Sequence, residues 1–179
     1  MKHLLLILLF CCALTTRAAE VAMADVAVYG ATPAGVCAAV SAAREGARVL
    51  LVEPSDHVGG VNTGGLCFSD SNQMAREALR GLFEEFHQRI EDDYTRRGVK
   101  LPYSVAVKDN KPWTYEPQVA TRVMKAMLKE AGVQIHPSQV LARVVKDGPR
   151  IKSITTAKGD TFSAKTFVDA TYEGDLMAA

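Results

Sequence analysis

The sequence predicts an α/β fold: a parallel sheet with a helical insertion and a small antiparallel β-meander. Three observations carry this prediction. Asp25–Glu53 has the pattern strand, tight glycine turn, helix, strand. Two stretches between Ala75 and Ala131 repeat apolar residues at helical spacing. Between Val133 and Asp169, short apolar runs are separated by Asp-Gly-Pro and Lys-Gly-Asp turn signals.

In chain order, Met1–Ala19 stands apart. Lys2 and His3 precede an apolar run, Leu4–Leu14, that is short for a bilayer span. Thr16-Arg17-Ala18 then offers small residues for a cleavage after Ala18. This is the layout of a secretory signal peptide rather than an uncleaved anchor, and the residues before Cys11 and Cys12 do not suit a lipoprotein site. A secreted or periplasmic location follows as the expectation, with no stable membrane anchor after cleavage.

Val26–Tyr29 is a continuous apolar run, as a strand buried on both faces requires. Gly30-Ala31-Thr32-Pro33-Ala34-Gly35 forms the turn, Val36–Arg44 the helix, and Gly46 suits its C-terminal end. Arg48–Val52 is the next strand and leads into Glu53. A helix N-terminus offers unpaired amides and partial positive charge to a pyrophosphate, and glycine lets the phosphates approach the backbone. Glu53 lies about 20 residues past Gly30, the spacing at which an acid bonds ribose hydroxyls and disfavours a 2′-phosphate. Thr32 departs from the pattern, standing where the second glycine of G-x-G-x-x-G is expected. Its side chain could crowd a pyrophosphate or bond to it.

Pro54–Gly65 is a loop with two glycine pairs, Gly59-Gly60 and Gly64-Gly65, able to converge amides on an anion. His57 in this loop has three readings: covalent flavin attachment, proton donor, or the preferred one, a polar loop residue. Asp56 and Asp70 need no special role. Ala75–Arg97 is a helix with Leu79, Leu82, Phe83, Phe86 and Ile90 on one stripe, closed by Gly98, and His87 beside the stripe is expected to be packed or solvated. Trp113 and Tyr115 could flank a ligand but suit packing better. They lead into a helix over Pro117–Ala131 with Val119, Val123, Met127 and Leu128 inward. Strands are expected at Val133–His136, Gln139–Lys146, Ile151–Ala157, Thr161–Ala164 and Thr166–Asp169, before a helix that starts near Asp175.

The net charge of +1 over 179 residues gives no argument for a nucleic-acid partner. Outside the leader only Cys37 and Cys67 remain. They are too few for a metal pattern; Cys37 is expected buried on its helix, and a Cys37–Cys67 disulfide has no support from sequence. No Ser-His-Asp order, paired-carboxylate motif or zinc spacing points to hydrolysis. The final residues, Glu173–Ala179, look like a helix just starting, so a fragment is expected, with a substrate domain beyond it.

Taken together, GATPAG with Glu53, EPSDHVGGVNTGGL, WTYEPQVA and VDATYEGDL resemble the secreted bacterial FAD-dependent oxidoreductases of the glutathione-reductase-like FAD-binding superfamily, from Asp25 to the chain end. The resemblance implies a Rossmann-like FAD-binding domain over residues 20–179. It also implies that Gly30, Thr32, Pro33, Ala34 and Gly35 hold the pyrophosphate and Glu53 the ribose. It places Gly59, Gly60, Thr63, Gly64 and Gly65 along the pyrophosphate and flavin, Val140 at the adenine, and Ala170 and Thr171 near the cofactor. Tyr172 departs from the glycine many relatives have there. The excursion from Ser69 to Ala131, before the third strand, suits FAD better than NAD. The resemblance further implies a small-molecule or carbohydrate-derived substrate. It names no catalytic residue, no metal and no oligomeric state. An NAD-dependent dehydrogenase and a non-catalytic nucleotide-binding module are the alternatives.

Overall fold

The computed structural model describes residues 21–69, 80–100 and 113–179. The leader, Asp70, the Ala75–Leu79 start of the first predicted insertion helix and most of Lys100–Pro112 lie outside them.

Strand β1 (Val21–Tyr29) is longer than the predicted Val26–Tyr29. After it come α1 (Pro33–Arg44), β2 (Val49–Val52), a short 3-10 turn (Gly60–Asn62) and β3 (Phe68–Ser69). Next are α2 (Leu82–Arg96), β4 (Trp113–Thr114), α3 (Pro117–Glu130) and β5 (Gln134–His136). Strands β6 (Leu141–Asp147), β7 (Arg150–Thr156) and β8 (Thr161–Asp169) precede α4 (Asp175–Ala178). The main sheet has six strands in the order β5-β2-β1-β8-β7-β6. The first four run parallel, and β7 and β6 continue antiparallel. The meander is therefore an extension of the main sheet.

The two expected strands after Lys158 are one, β8, because its whole length pairs with β1, from Val21↔Thr161 to Tyr29↔Asp169. The pairing skips Asp25 and Lys165. There the Asp25 carboxylate accepts from Lys165 Nζ at 2.7 Å and from the Arg48 amide and Nε at 3.0 and 3.2 Å. Lys165 first and Arg48 second hold this carboxyl well below the usual carboxylate range.

Alternate residues of the central strands face opposite sides, as the two-residue strand period requires. Val28, Val49 and Leu51 pack against Val36, Ala39 and Val40 of α1 and against α2 and α3. Tyr29, Leu50 and Val52 face Ile154, Phe162 and Leu176. Each fully buried large aliphatic side chain contributes about 1.5–3 kcal/mol. Helix α2 starts at Leu82 rather than further upstream, because Gly81 adopts φ 68°, ψ −139°. Of its predicted stripe, Phe86 and Ile90 are core and Leu82 packs against them, with burial extending to Tyr94, while Leu79 lies outside the described residues. An ionic chain of Arg44, Glu85, Arg89 and Glu130 ties α1, α2 and α3 together.

His87 is buried, with 1 % exposure, among Phe83, Phe86 and Tyr115. Its Nδ1 donates to the Phe83 carbonyl at 2.8 Å, and burial pushes its pKa down. Tyr115 packs edge-on to Phe86 at 5.6 Å, so it is a core residue. Trp113–Thr114 pairs antiparallel with Phe68–Ser69, a two-residue ladder that local sequence does not announce. Cys37 is exposed, contrary to expectation: α1 buries Gly35, Val36, Ala39 and Val40, and position 37 falls off that face. Cys67 is buried, and both cysteines are free thiols.

Candidate functional site

The parallel strands β1, β2 and β8 end together, and their exits form one pocket of about 250 Å³. Gly30 leaves β1 with φ 100°. A Cβ there would lie 2.8 Å from the Thr171 amide nitrogen and 2.9 Å from the Ala170 carbonyl carbon, so only glycine fits beside the β8 exit. Gly35 is under a harder limit. A Cβ on it would overlap the Gly30 carbonyl oxygen, with Ala170 Cβ at 3.2 Å. Helix α1 therefore starts in close contact with the turn that feeds it.

Thr32 is the N-cap of α1. Its hydroxyl donates to the Ala170 carbonyl at 2.6 Å and accepts from the Gly35 amide at 3.2 Å. The departure from glycine is thus structural: the hydroxyl satisfies an orphan helix amide and ties the turn to β8. Pro33 at the first helical position has no N–H to satisfy.

Glu53 directly follows β2 and is 8 % exposed. One carboxylate oxygen accepts from the Ala31 amide at 2.6 Å. The other accepts from the Ser55 amide at 2.7 Å and the Ser55 hydroxyl at 2.6 Å. A carboxylate offers about four acceptor positions, so three donors leave room for one more hydroxyl. Glu53 fixes the glycine turn and can still receive a ribose hydroxyl.

The glycine loop packs on this turn through the Gly59 amide, which donates to the Ala31 carbonyl at 2.7 Å. Thr63 is buried, and its hydroxyl donates to the Val58 carbonyl at 2.7 Å. Beyond β8, the Asp169 carboxylate accepts from the Thr171 amide and hydroxyl at 2.9 and 2.7 Å and from the Met177 amide at 2.8 Å. Burial raises the Asp169 pKa, but these donors together outweigh burial and hold it below the ordinary range.

The pocket brings together Gly30, Thr32, Glu53, Gly60 and Thr171 of the predicted set. Pro33, Ala34 and Gly35 form the adjoining helix start, and Ala170 lies beneath the turn as acceptor for Thr32. Gly59 and Thr63 shape the loop from within, whereas Gly64, Gly65 and Val140 do not line the pocket. Val140 is 54 % exposed, and its neighbour Gln139 donates its amide to the Glu53 carbonyl at 2.8 Å. The lining also includes Ser55, His57 and Tyr172, none of them predicted as cofactor-binding. The signal for Ser55 was present: a serine two residues after an acid makes the local turn that Glu53 caps.

Among the described residues lining the pocket, none is Lys or Arg. A pyrophosphate held here would rely on backbone amides and the α1 dipole, which is the design of a dinucleotide site. The two glycines that exclude a Cβ, the capped helix start and the acid at the second strand end all fit a dinucleotide carrying adenosine.

Fold and site together define a dinucleotide-binding α/β protein. Residues 25–179 match the model of the FAD dependent oxidoreductase family, and the chain belongs to that family. Its cofactor is FAD, which decides against NAD. The chain is also 32 % identical over 130 residues to thiamine thiazole synthase from Aeropyrum pernix, covering 73 % of this chain and 42 % of that protein. Among solved structures it is similar to L-proline dehydrogenase from P. horikoshii, with TM-score 0.62, 15 % identity, and 89 % of this chain on 55 % of that one. It is likewise similar to L-amino acid deaminase from Proteus vulgaris, with TM-score 0.60, 18 % identity, and 86 % on 48 %. At these identities the solved structures show the fold, and the chain spans about half their length.

Proposed function

We propose that this chain is the FAD-binding part of an exported oxidoreductase that acts on a small or carbohydrate-derived molecule, with a substrate domain outside these residues. The single observation that carries the cofactor role is the meeting of the Gly30–Gly35 turn, Glu53 and the glycine loop in one pocket with no Lys or Arg among its described lining residues. The amides at the α1 start hold the pyrophosphate, Glu53 takes a ribose hydroxyl, and Gly59–Gly65 lies along the cofactor toward its ring. The backbone at Val140 stands at the adenine side of Glu53. FAD supplies the electron-accepting chemistry when bound. The residues named here bind and orient it.

Export rests on the Leu4–Leu14 run and the Thr16-Arg17-Ala18 motif. The substrate class rests on family analogy. The test is anaerobic mixing of the full-length flavoprotein with sugars, sugar acids and small amines, following bleaching of the flavin band. Bleaching by one class identifies the substrate. A loaded flavin that a chemical reductant bleaches but none of these compounds does would overturn the proposed substrate class. The mass of the protein recovered after export tests cleavage after Ala18.

A further inference from the structure

The glycine loop is held across the pocket from two sides. On one side His57 Nε2 lies 3.2 Å from the Gly60 carbonyl and 2.8 Å from the Thr63 hydroxyl. The Gly60 carbonyl only accepts, so the tautomer with hydrogen on Nε2 fits that contact, and the Thr63 hydroxyl also reaches the Val58 and Gly60 carbonyls. On the other side stands Tyr172, from the turn after β8. Its hydroxyl accepts from the Val61 amide at 2.9 Å, across 111 residues of sequence.

Gly60, whose φ of 50° itself favours glycine, leaves room for this contact. A Cβ at position 60 would collide with the Tyr172 hydroxyl and lie 3.2 Å from Pro33 Cδ. Tyr172 thus joins two parts of the site, the β8 exit and the glycine loop. Within the loop, the Thr63 amide donates to the Gly60 carbonyl and the Gly64 and Leu66 amides to the Val61 carbonyl; Tyr172 adds a tie from a distant part of the chain. Gly59 and Gly60 both have positive φ, the 3-10 turn is three residues long, and Val61 is 40 % exposed. Glycine-rich backbone loses more entropy on ordering than other sequences, so a long-range hydrogen bond here matters.

We propose that Tyr172 is a positioning residue of this site, its hydroxyl holding the Gly59–Thr63 loop in the shape that closes the pocket over FAD. The proposal rests on the FAD reading of the pocket. Tyr172 is 60 % exposed, so removing the hydroxyl leaves the core untouched.

The test is Tyr172→Phe in the full-length protein, which keeps the ring and deletes the acceptor. Two readouts are needed. Amide hydrogen exchange around Val61, measured without FAD, reports the strap. FAD titration followed by flavin fluorescence reports positioning. The expected result is faster exchange confined to the loop, an FAD dissociation constant raised about three- to tenfold, and an unchanged melting temperature of the cofactor-free protein. Unchanged FAD affinity overturns the positioning role, and so does weaker affinity accompanied by a lower melting temperature and exchange raised throughout the fold. A wild-type protein that takes up no FAD overturns the site reading itself, and loop exchange in the variant then still shows whether the strap exists.

Discussion

Replacing Gly35 with alanine is the smallest change that tests the packing of the dinucleotide turn. Helix propensity alone favours it, since alanine in a helix is about 0.5–1 kcal/mol better than glycine. The contacts oppose it more strongly. The new methyl would overlap the Gly30 carbonyl oxygen and lie 3.0 Å from its carbonyl carbon and 3.2 Å from Ala170 Cβ. The oxygen is backbone, and its peptide plane is fixed by the Ala31 amide, which donates to Glu53 at 2.6 Å. It cannot rotate away as a side chain would, so α1 must shift by roughly an ångström and loosen the buried Val36, Ala39 and Val40 contacts. Overpacking of this kind costs about 1–3 kcal/mol or more. With no mobile partner the upper end applies, for a net loss of about 2 kcal/mol. That corresponds to a fall in Tm of about 4–8 °C for a chain of this size. Denaturant unfolding of Gly35→Ala beside Gly46→Ala is the assay. Gly46 has φ 88° with open space around a Cβ, so its variant should lose about 1–2 kcal/mol through backbone strain and keep FAD binding. Gly35→Ala should lose both stability and FAD. A Gly35→Ala protein as stable as wild type with normal FAD affinity would refute the turn geometry.

Glu53→Ala should weaken FAD binding by about 1.5–3 kcal/mol and also destabilise the cofactor-free fold, because the Ala31 and Ser55 amides lose their acceptor. Isothermal titration and denaturation measure the two effects, and a loss of affinity alone would leave the structural half unsupported. His87, its pKa lowered by burial, binds a proton less readily folded than unfolded. Stability should therefore fall as pH drops below about 6.5, and His87→Leu should flatten that slope; equal slopes between pH 7 and 5 would contradict it. Removing Glu85 should cost roughly 0.5–1 kcal/mol at low salt and less at high salt, since its side chain joins Arg44 and Arg89 on a partly exposed surface.

The strand, turn and helix around Gly30 were legible because their causes are local. An apolar run, a Pro at the first helical position and a Gly beyond the last turn each act within a few residues. The same holds for α3 and its inward Val119, Val123, Met127 and Leu128. Where sequence reasoning fell short, the cause was long-range pairing or backbone conformation. Val21–Ala24 is strand because Thr161–Ala164 lies beside it. Gly81 looked like helix interior and is instead the break before α2. At the site, Glu53 and the glycines followed from spacing, but the use of the Thr32 hydroxyl depends on the Ala170 carbonyl, 138 residues away. Tyr172 stood out as a departure, and only the fold shows that its hydroxyl meets Val61.

The visible absorption of the purified full-length protein, read before and after denaturation, tests the central claim most directly. The account predicts a flavin spectrum from the folded protein, with FAD recoverable from it. A folded, colourless protein that takes up no added FAD would contradict the account, because the Gly30–Gly35 turn and Glu53 would then form a pocket that does not bind the family's cofactor.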